Sequence, residues 1–314
     1  MKMSLMKNEC STQPNAFRNQ HYLPAVYLKQ FSVDGIKATR KSRIWRHDKE
    51  RSVPVAVESQ CAQEYFYSSR DPKGIEDMFR KQGENAYGQI AKKIWQREHS
   101  KNGDYFGLIS LIFDLHCRNI AYENRTRQEH RHAYEVLIEC LRDWILRRCP
   151  ASIDPDQQFV EHIRAVWRVR LSVTAGNGEL STSDNPALLF TLNETNDLHL
   201  AIMPVTPFCC AVAFDSRFSK MIEGHLSVVD QSRLNRYQLS HCCDCVFTSN
   251  ELSAEQQKFI REQWKKRERH SGYVDERECK INLLRLADGE FSFLTSLDER
   301  IDVPVDVHEL GSLP

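Results

Sequence analysis

The chain has no run of about 18 apolar residues, the length a membrane-spanning helix needs, and its mean hydropathy is -0.55. A helical membrane span is therefore excluded. Its first ten residues, MKMSLMKNEC, lack the apolar stretch of a secretory leader, which predicts a cytoplasmic protein. Glycine (12) and proline (11) are too scarce among 314 residues for a collagen-like or low-complexity chain, and no repeat of about 20–50 residues recurs. Net charge of either sign is absent, 43 basic groups cancelling 43 acidic ones. The well-specified catalytic signatures are also missing: there is no GxGxxG after a strand, no GxxxxGK[ST], no GxSxG, no HExxH and no kinase set. Common nucleotide hydrolases and dinucleotide oxidoreductases are thereby disfavoured.

What the chain does have is 41% hydrophobic residues, ample core for one large domain or two modest ones. Its zero net charge hides an asymmetry. Residues 1–150 hold 26 basic and 18 acidic groups, and residues 151–314 hold 17 and 25. Such halves can meet across a seam of salt bridges, or the basic half can face a polyanion. The densest basic stretch, from Arg40 to Arg51, interleaves Arg43, Trp45 and Arg46 as a nucleic-acid or nucleotide surface does; a solvated strand and turn would read the same. Eleven cysteines are an odd number without paired spacing, so they are read as reduced. Cys242, Cys243 and Cys245 cluster, and Cys209-Cys210 lie upstream, but C-x-x-C spacing is missing and neighbouring cysteines point to different sides of a regular element. Zinc at Cys242, Cys243 and Cys245 is disfavoured against buried small hydrophobes.

Residues 1–19 read as a flexible arm. Leu23, Tyr27, Leu28 and Phe31 fall near helical spacing after Pro24, predicting a short helix with His21 just before it. Arg43–His47 and Ser52–Val57 predict a small hairpin, with Pro54 on an edge. Ile75, Met78, Phe79, Ala86, Tyr87, Ile90 and Ile94 predict a helix over 74–98. A second helical region over 105–149 bends near 123–127, and Phe159, Val160, Ile163, Val166 and Trp167 predict another helix face. Beyond 170 short apolar runs at 170–174, 187–191, 198–203 and 209–215 read as strands, followed by helices over 228–242 and 253–269, the latter opened by the box Ser253-x-x-Gln256. The fold class is α+β, a helix-rich N-terminal part packed on a small mixed or antiparallel sheet in the C-terminal part. Residues 20–250 form a single domain, and 251–314 a C-terminal helix and acidic extension.

Three polar features sit beside apolar scaffolding. His21 has the imidazole of a general base or metal ligand, or of a hydrogen-bonding residue at a helix start. Glu76 and Glu84 project from nearly the same side of one helix about 12 Å apart, so one of them can join a site; a solvated face is the plainer reading. Thr182-Ser-Asp-Asn-Pro186 is a turn in which Asp184 and Asn185 fold onto backbone amides, or one that aims a carboxylate and an amide into a cleft. Arg118, in the apolar segment Leu115–Asn119, needs an acidic partner or an anionic ligand, and Glu84 or Asp184 can supply the acid.

Taken together, His21-Tyr-Leu-Pro-x-x-Tyr-Leu-x-x-Phe31, Tyr65-Phe-Tyr67 with Ile75-Glu76 and Glu84, Arg118, Ser183-Asp-Asn-Pro186 and Met203-Pro-Val-Thr-Pro207 resemble the bacterial and fungal family catalogued as domain of unknown function 4238. The resemblance covers about residues 20–250. Ala187 stands where the family usually has a larger aliphatic residue, which implies slightly looser packing. The family implies no activity.

Two functional readings follow. In the first, the protein is a phosphodiester-cleaving or nucleotide-directed hydrolase of toxin or defence type. His21 is its acid/base, Glu84, Asp184 and Asn185 orient the reaction, and Glu84 and Asp184 hold magnesium or manganese. Arg118 takes a phosphate, and Arg43, Trp45 and Arg46 guide a nucleic acid or nucleotide. In the second, it is a non-catalytic binding or interaction protein whose polar groups form one buried hydrogen-bond network.

Overall fold

The computed structural model describes residues 19–64, 83–98, 106–118, 167–175, 178–191, 200–215, 221–222, 225–268, 284–286, 290–292 and 294–295, with single helical positions at 73 and 77. Within these the chain runs β1 (Asn19–His21), α1 (Ala25–Leu28), β2 (Arg43–His47), β3 (Ser52–Ala56), β4 (Ala62–Glu64), α2 (Asn85–Trp95), α3 (Phe106–Cys117), β5 (Trp167–Thr174), β6 (Thr182–Ser183) and β7 (Leu188–Thr191). It continues with β8 (Leu200–Thr206), β9 (Cys209–Asp215), β10 (Met221–Ile222), β11 (His225–Leu226), α4 (Val228–His241), β12 (Val246–Thr248), α5 (Ala254–Glu268), β13 (Leu284–Arg285) and β14 (Leu294–Thr295). The class is α+β. Residues 1–18 of the N-terminal arm, Tyr65–Tyr67, Glu76, the bend near 123–127 and the helix face from Phe159 to Val166 lie outside the described residues, while Asn19, read as the end of the arm, opens β1.

The largest sheet has the order β11-β5-β9-β8-β7-β13. Its inner pairs are antiparallel, while β11 with β5 and β13 with β7 are parallel. Every residue of β8 and β9 is buried, which explains why these strands read as continuous apolar runs rather than as an alternation. Successive side chains still separate by face. Ala201, Met203, Val205, Cys209, Ala211 and Ala213 join the core that holds α1, α2 and α3. Leu200, Ile202, Cys210, Val212 and Phe214 join Leu226 of β11 and Leu234 of α4. Alanines on the first face leave room for Tyr27 and Tyr87, whose rings lie 5.4 Å apart and whose hydroxyls donate to Pro204 and Val205 carbonyls at 2.7 and 2.8 Å. The phenol groups thus satisfy backbone acceptors that a wholly apolar layer would strand.

Trp167 opens β5 and does not close a helix face. From Trp167 to Leu171 the odd-numbered side chains are buried, while Arg168 is exposed and Arg170 half-buried. That alternation of period two, carried by the two arginines, outweighs the helical spacing back to Ile163.

A second, antiparallel sheet has the order β3-β2-β12-β6. The hairpin pairs Arg43 with Ala56 through His47 with Ser52, its turn held by Asp48 Oδ1 accepting from the Glu50 and Arg51 amides at 2.9 Å. Pro54 sits on the edge strand, where its missing N–H costs no ladder bond. β12 joins this hairpin to β6, so segments about 140 and 200 residues from it in sequence share one sheet.

His47 is buried on that sheet between Ser52 Oγ at 2.9 Å and Thr248 Oγ1 at 2.7 Å. Burial pushes its pKa down to about 4, with Asp48 acting the other way. The folded value lies below the unfolded one near 6.5, so the unfolded chain binds more protons between about pH 4 and 6.5. Stability contributed by neutral His47 is complete above that window and lost as pH falls through it. Asp184, whose carboxyl is pushed up to about 6, contributes the opposite slope, so the His47 effect is read as a difference. The stability of wild type minus that of His47→Gln, from urea unfolding, is expected to fall by about 3 kcal/mol between pH 7 and pH 4. A pH-independent difference would contradict the assignment.

Helices α2 and α3 cross on small residues. A Cβ on Gly83 would meet Leu111 at 3.2 Å, and one on Gly107 would lie 2.6 Å from the Ala86 methyl. Alanine gains about 1 kcal/mol over glycine in a helix, but overpacking costs about 1–3 kcal/mol, and at 2.6 Å the second wins. Gly107→Ala is expected to lower stability. Gly88→Ala, whose Cβ would meet only the Val26 Cγ2 at 3.4 Å, is expected to raise it by about 0.5–1 kcal/mol. Urea midpoints moving in one direction for both would refute this reading.

The capping box Ser253–Gln256 forms as the sequence predicts, with 2.9 and 3.3 Å bonds. Ser227 and Asp230 form another at α4. None of the helices among the described residues is long and apolar enough to cross a membrane.

Candidate functional site

The block from His21 to Phe31 divides its residues between core and site. β1 pairs with β4, and the Tyr22 and Leu23 amides donate to the Cys61 carbonyl at 3.0 and 3.4 Å. Pro24, at ψ 138° and φ -61°, turns the chain into α1. Leu23, Tyr27, Leu28 and Phe31 are buried on one side of this turn, leaving Val26 and Lys29, three apart, half-buried on another. His21 does not cap α1. Its Nε2 lies 3.3 Å from the Glu58 carbonyl oxygen. A carbonyl only accepts, so Nε2 carries the hydrogen and Nδ1 is left as the basic nitrogen. Burial lowers the imidazole pKa, the Glu58 carbonyl acts against it, and Arg40 and Arg118 lower it further. The ring is therefore uncharged at neutral pH.

His21, Pro24, Ala25, Val26, Lys29, Arg40 and Glu84 line a half-open cavity of about 130 Å³. Glu84 enters it from the π-helical residues Gly83–Glu84, just before α2; the close approach of Gly83 to Leu111 sets that position. Behind it lies Arg118, 1% exposed. Its guanidinium donates to Glu84 Oε1 at 2.9 Å, Asp114 Oδ2 at 3.0 Å and the His21 carbonyl at 2.6 Å. Of the two carboxylates offered by the sequence as its partner, Glu84 takes the place, and Asp114, one helical turn back, joins it. Lys29 and Arg40 have no acidic side-chain partner among the described residues.

Asp184 belongs to a different cluster. Its Oδ1 accepts from the Cys243 amide at 2.7 Å, and its Oδ2 from the Asp244 and Cys245 amides at 2.6 and 3.2 Å. Burial pushes its carboxyl up to about 6 while the amides of Asp244 and Cys243 hold it down. Asn185 donates from Nδ2 to the His241 carbonyl at 2.8 Å, and its buried Oδ1 has no partner among the described residues. Ser183 Oγ donates to Gln238 Oε1 at 2.7 Å, and Gln238 Nε2 to the Pro186 carbonyl at 2.9 Å. The Ser-Asp-Asn-Pro turn is thereby fastened to the end of α4 and the loop behind it. Ala187 is fully buried, its carbonyl 3.0 Å from His116 Nδ1.

Of the residues that the sequence singles out, the structure brings His21 and Glu84 into one cavity with Arg118 bonded to both. Asp184 and Asn185 stand apart, and neither lines that cavity. Tyr22 lies between the two groups: its phenol, pushed far up by burial, also feels Cys61, Asp184 and Cys245. Arg43 is exposed; Trp45 stacks on His47 at 6.4 Å between centroids. Arg46 sits 3.5 Å from Asp48 Oδ2 and donates to Gln60 Oε1 at 3.5 Å. Glu84 and Asp184, named together as metal carboxylates, have separate partner sets, and among the described residues no group of three or more His, Cys, Asp or Glu is placed to hold an ion. The thiols offered for zinc are spread as well: Cys209 and Cys245 lie in the helix-side core, where Cys245 hydrogen-bonds Cys61, Cys210 on the opposite sheet face, and Cys242 with Trp264.

Sequence reasoning missed Lys29 and Asp114, and named Arg40 only as part of a basic stretch. The Val26–Lys29 spacing carried the signal for the first. The Asp114–Arg118 spacing of four carried it for the second. It also missed Cys61, whose φ of +51° is uncommon for a residue with a side chain.

These features define an α+β protein in which a half-buried imidazole and two cations share a small cavity, apart from a carboxylate, Asp184, held by the backbone amides of residues 243–245. The family model described as protein of unknown function (DUF4238) matches residues 19–251, and the chain belongs to that family. No curated protein and no solved structure matches it.

Proposed function

We propose that the His21 cavity is the active site of a phosphoester hydrolase, phosphodiester-cleaving or nucleotide-directed, acting in a toxin or defence setting. One observation carries the reading: an imidazole kept uncharged shares a cavity with two cations that have no acidic partner among the described residues. Nδ1 of His21 accepts the proton of the attacking water, and Lys29 and Arg40 meet the negative charge on the phosphoryl oxygens. Glu84, already ion-paired, positions rather than reacts; Arg118 holds it and the His21 carbonyl in place. Arg40 also begins the basic stretch with Arg43, Trp45 and Arg46, which extends the cationic surface for a nucleic acid or nucleotide partner. Magnesium or manganese at Glu84 or Asp184 is tested together with the chemistry.

The alternative, a non-catalytic network, is favoured for Arg118 and Asp184 by the density of their bonds to the chain itself. The test incubates wild type and His21→Ala with labelled RNA, single-stranded DNA, duplex DNA and a nucleotide panel, each with magnesium, manganese or EDTA. Turnover by wild type is expected to drop about 10²–10⁴-fold in the variant, and loss in EDTA alone would assign a metal. Full activity in His21→Ala would remove this site. Absence of turnover by folded wild type would leave the binding reading.

A further inference from the structure

We infer that the His21 cavity takes a terminal, dianionic phosphoryl group, so that the substrate is a nucleotide or other monoester with a free phosphate end rather than a phosphodiester inside a chain. The inference rests on the phosphoester reading of this cavity and narrows it.

Size is the first argument. About 130 Å³ is well below the ~300–1,000 Å³ of sites that enclose a whole small-molecule ligand. One tetrahedral group enters, and the rest of the ligand stays outside. A phosphodiester carries an organic substituent on both sides of phosphorus, so both would have to lie outside so small a cavity, through its open side.

The walls make the second argument. Pro24, Ala25 and Val26 form one side. Pro24 has no N–H, and the side chains of Ala25 and Val26 offer no hydrogen bond to a sugar hydroxyl or a base edge.

Charge is the third. Glu84 is met at 2.9 Å by Arg118, which Asp114 shares at 3.0 Å. The carboxylate of Glu58, which also acts on His21, is solvent-exposed. Lys29 is half-buried and Arg40, like Glu58, exposed; these two cations, with no acidic side-chain partner among the described residues, are the groups that face the incoming charge. A terminal phosphate carries about -1.5 to -2 at neutral pH, whereas a diester carries one. In the reaction the water oxygen bonds to phosphorus as the bond from phosphorus to the leaving oxygen breaks. His21 takes the proton of the water and returns it to the leaving oxygen, giving an alcohol and inorganic phosphate.

The test is calorimetric titration of the full chain with inorganic phosphate and with dimethyl phosphate, on wild type, Lys29→Gln, Arg40→Gln and the control Lys258→Gln, exposed on α5. Phosphate is expected to bind wild type at least about tenfold more tightly than dimethyl phosphate. Each of the two cavity variants is expected to weaken it about tenfold, while the control binds as wild type does. Equal affinity for the diester, or unchanged phosphate binding in both cavity variants, would overturn the inference; circular dichroism establishes that each variant is folded. Turnover separates this result from the parent reading. If phosphate binds as expected but no ester is hydrolysed, the hydrolase reading fails alone. If a dinucleotide without terminal phosphate is cleaved and phosphate does not bind, the inference fails alone.

Discussion

Arg118→Met is expected to destabilise the protein by about 3–5 kcal/mol, the cost of leaving buried charge uncompensated. The guanidinium is 1% exposed and bonds two carboxylates and a carbonyl. Methionine fills a similar volume but leaves Glu84, Asp114 and the His21 carbonyl without those donors. Arg118→Lys is expected to recover only part, because one ammonium does not reproduce the planar fork that reaches three acceptors. Urea unfolding measures the loss, and a double-mutant cycle with Glu84→Gln measures the coupling. A midpoint unchanged from wild type would mean that Arg118 does not lock α2, α3 and β1 together. Arg118 also holds the carbonyl of His21, so a change in the affinity of the cavity for phosphate is expected alongside the stability loss.

Asp184→Ala is expected to cost on the order of 3 kcal/mol or more. Three successive amides would lose one acceptor group, and the backbone amide of Asp184 itself donates to the Cys245 carbonyl at 3.2 Å. The turn and the 243–245 loop are therefore fastened in both directions. Asp184→Asn keeps one acceptor oxygen but places an amide donor against amide donors, so it is expected to fall between alanine and wild type. Thermal unfolding ranks the three. Should Asp184→Ala unfold with wild type while losing turnover, the residue would act in chemistry and not in the turn.

Much of this was legible because it depends on residues a few positions apart. The apolar spacing from Leu23 to Phe31, the hairpin with Pro54 on its edge and the Ser253–Gln256 box each follow from local stereochemistry. The misreading at Trp167 was local as well, one helical spacing preferred over an alternation that Arg168 and Arg170 marked. Other features had no local signature. β12 is three residues long and β6 two; neither buries a face alone, and each is a strand because distant partners supply its hydrogen bonds.

The candidate site divides in the same way. Residue types told that His21, Glu84, Arg118 and Asp184 needed partners, since buried charge and polar side chains are costly alone. They did not tell which partners. Arg118 pairs with Glu84 because the small residues Gly83, Ala86 and Gly107 let α2 and α3 approach, and Asp184 is withdrawn from it by the amides that follow α4. The sequence by itself thus determined the α+β class, the local elements and the residues unable to stand alone. Only the tertiary structure decided that His21 shares a cavity with Lys29, Arg40 and Glu84 while Asp184 does not, because that choice is made by packing between segments far apart in the chain, where no local periodicity reaches.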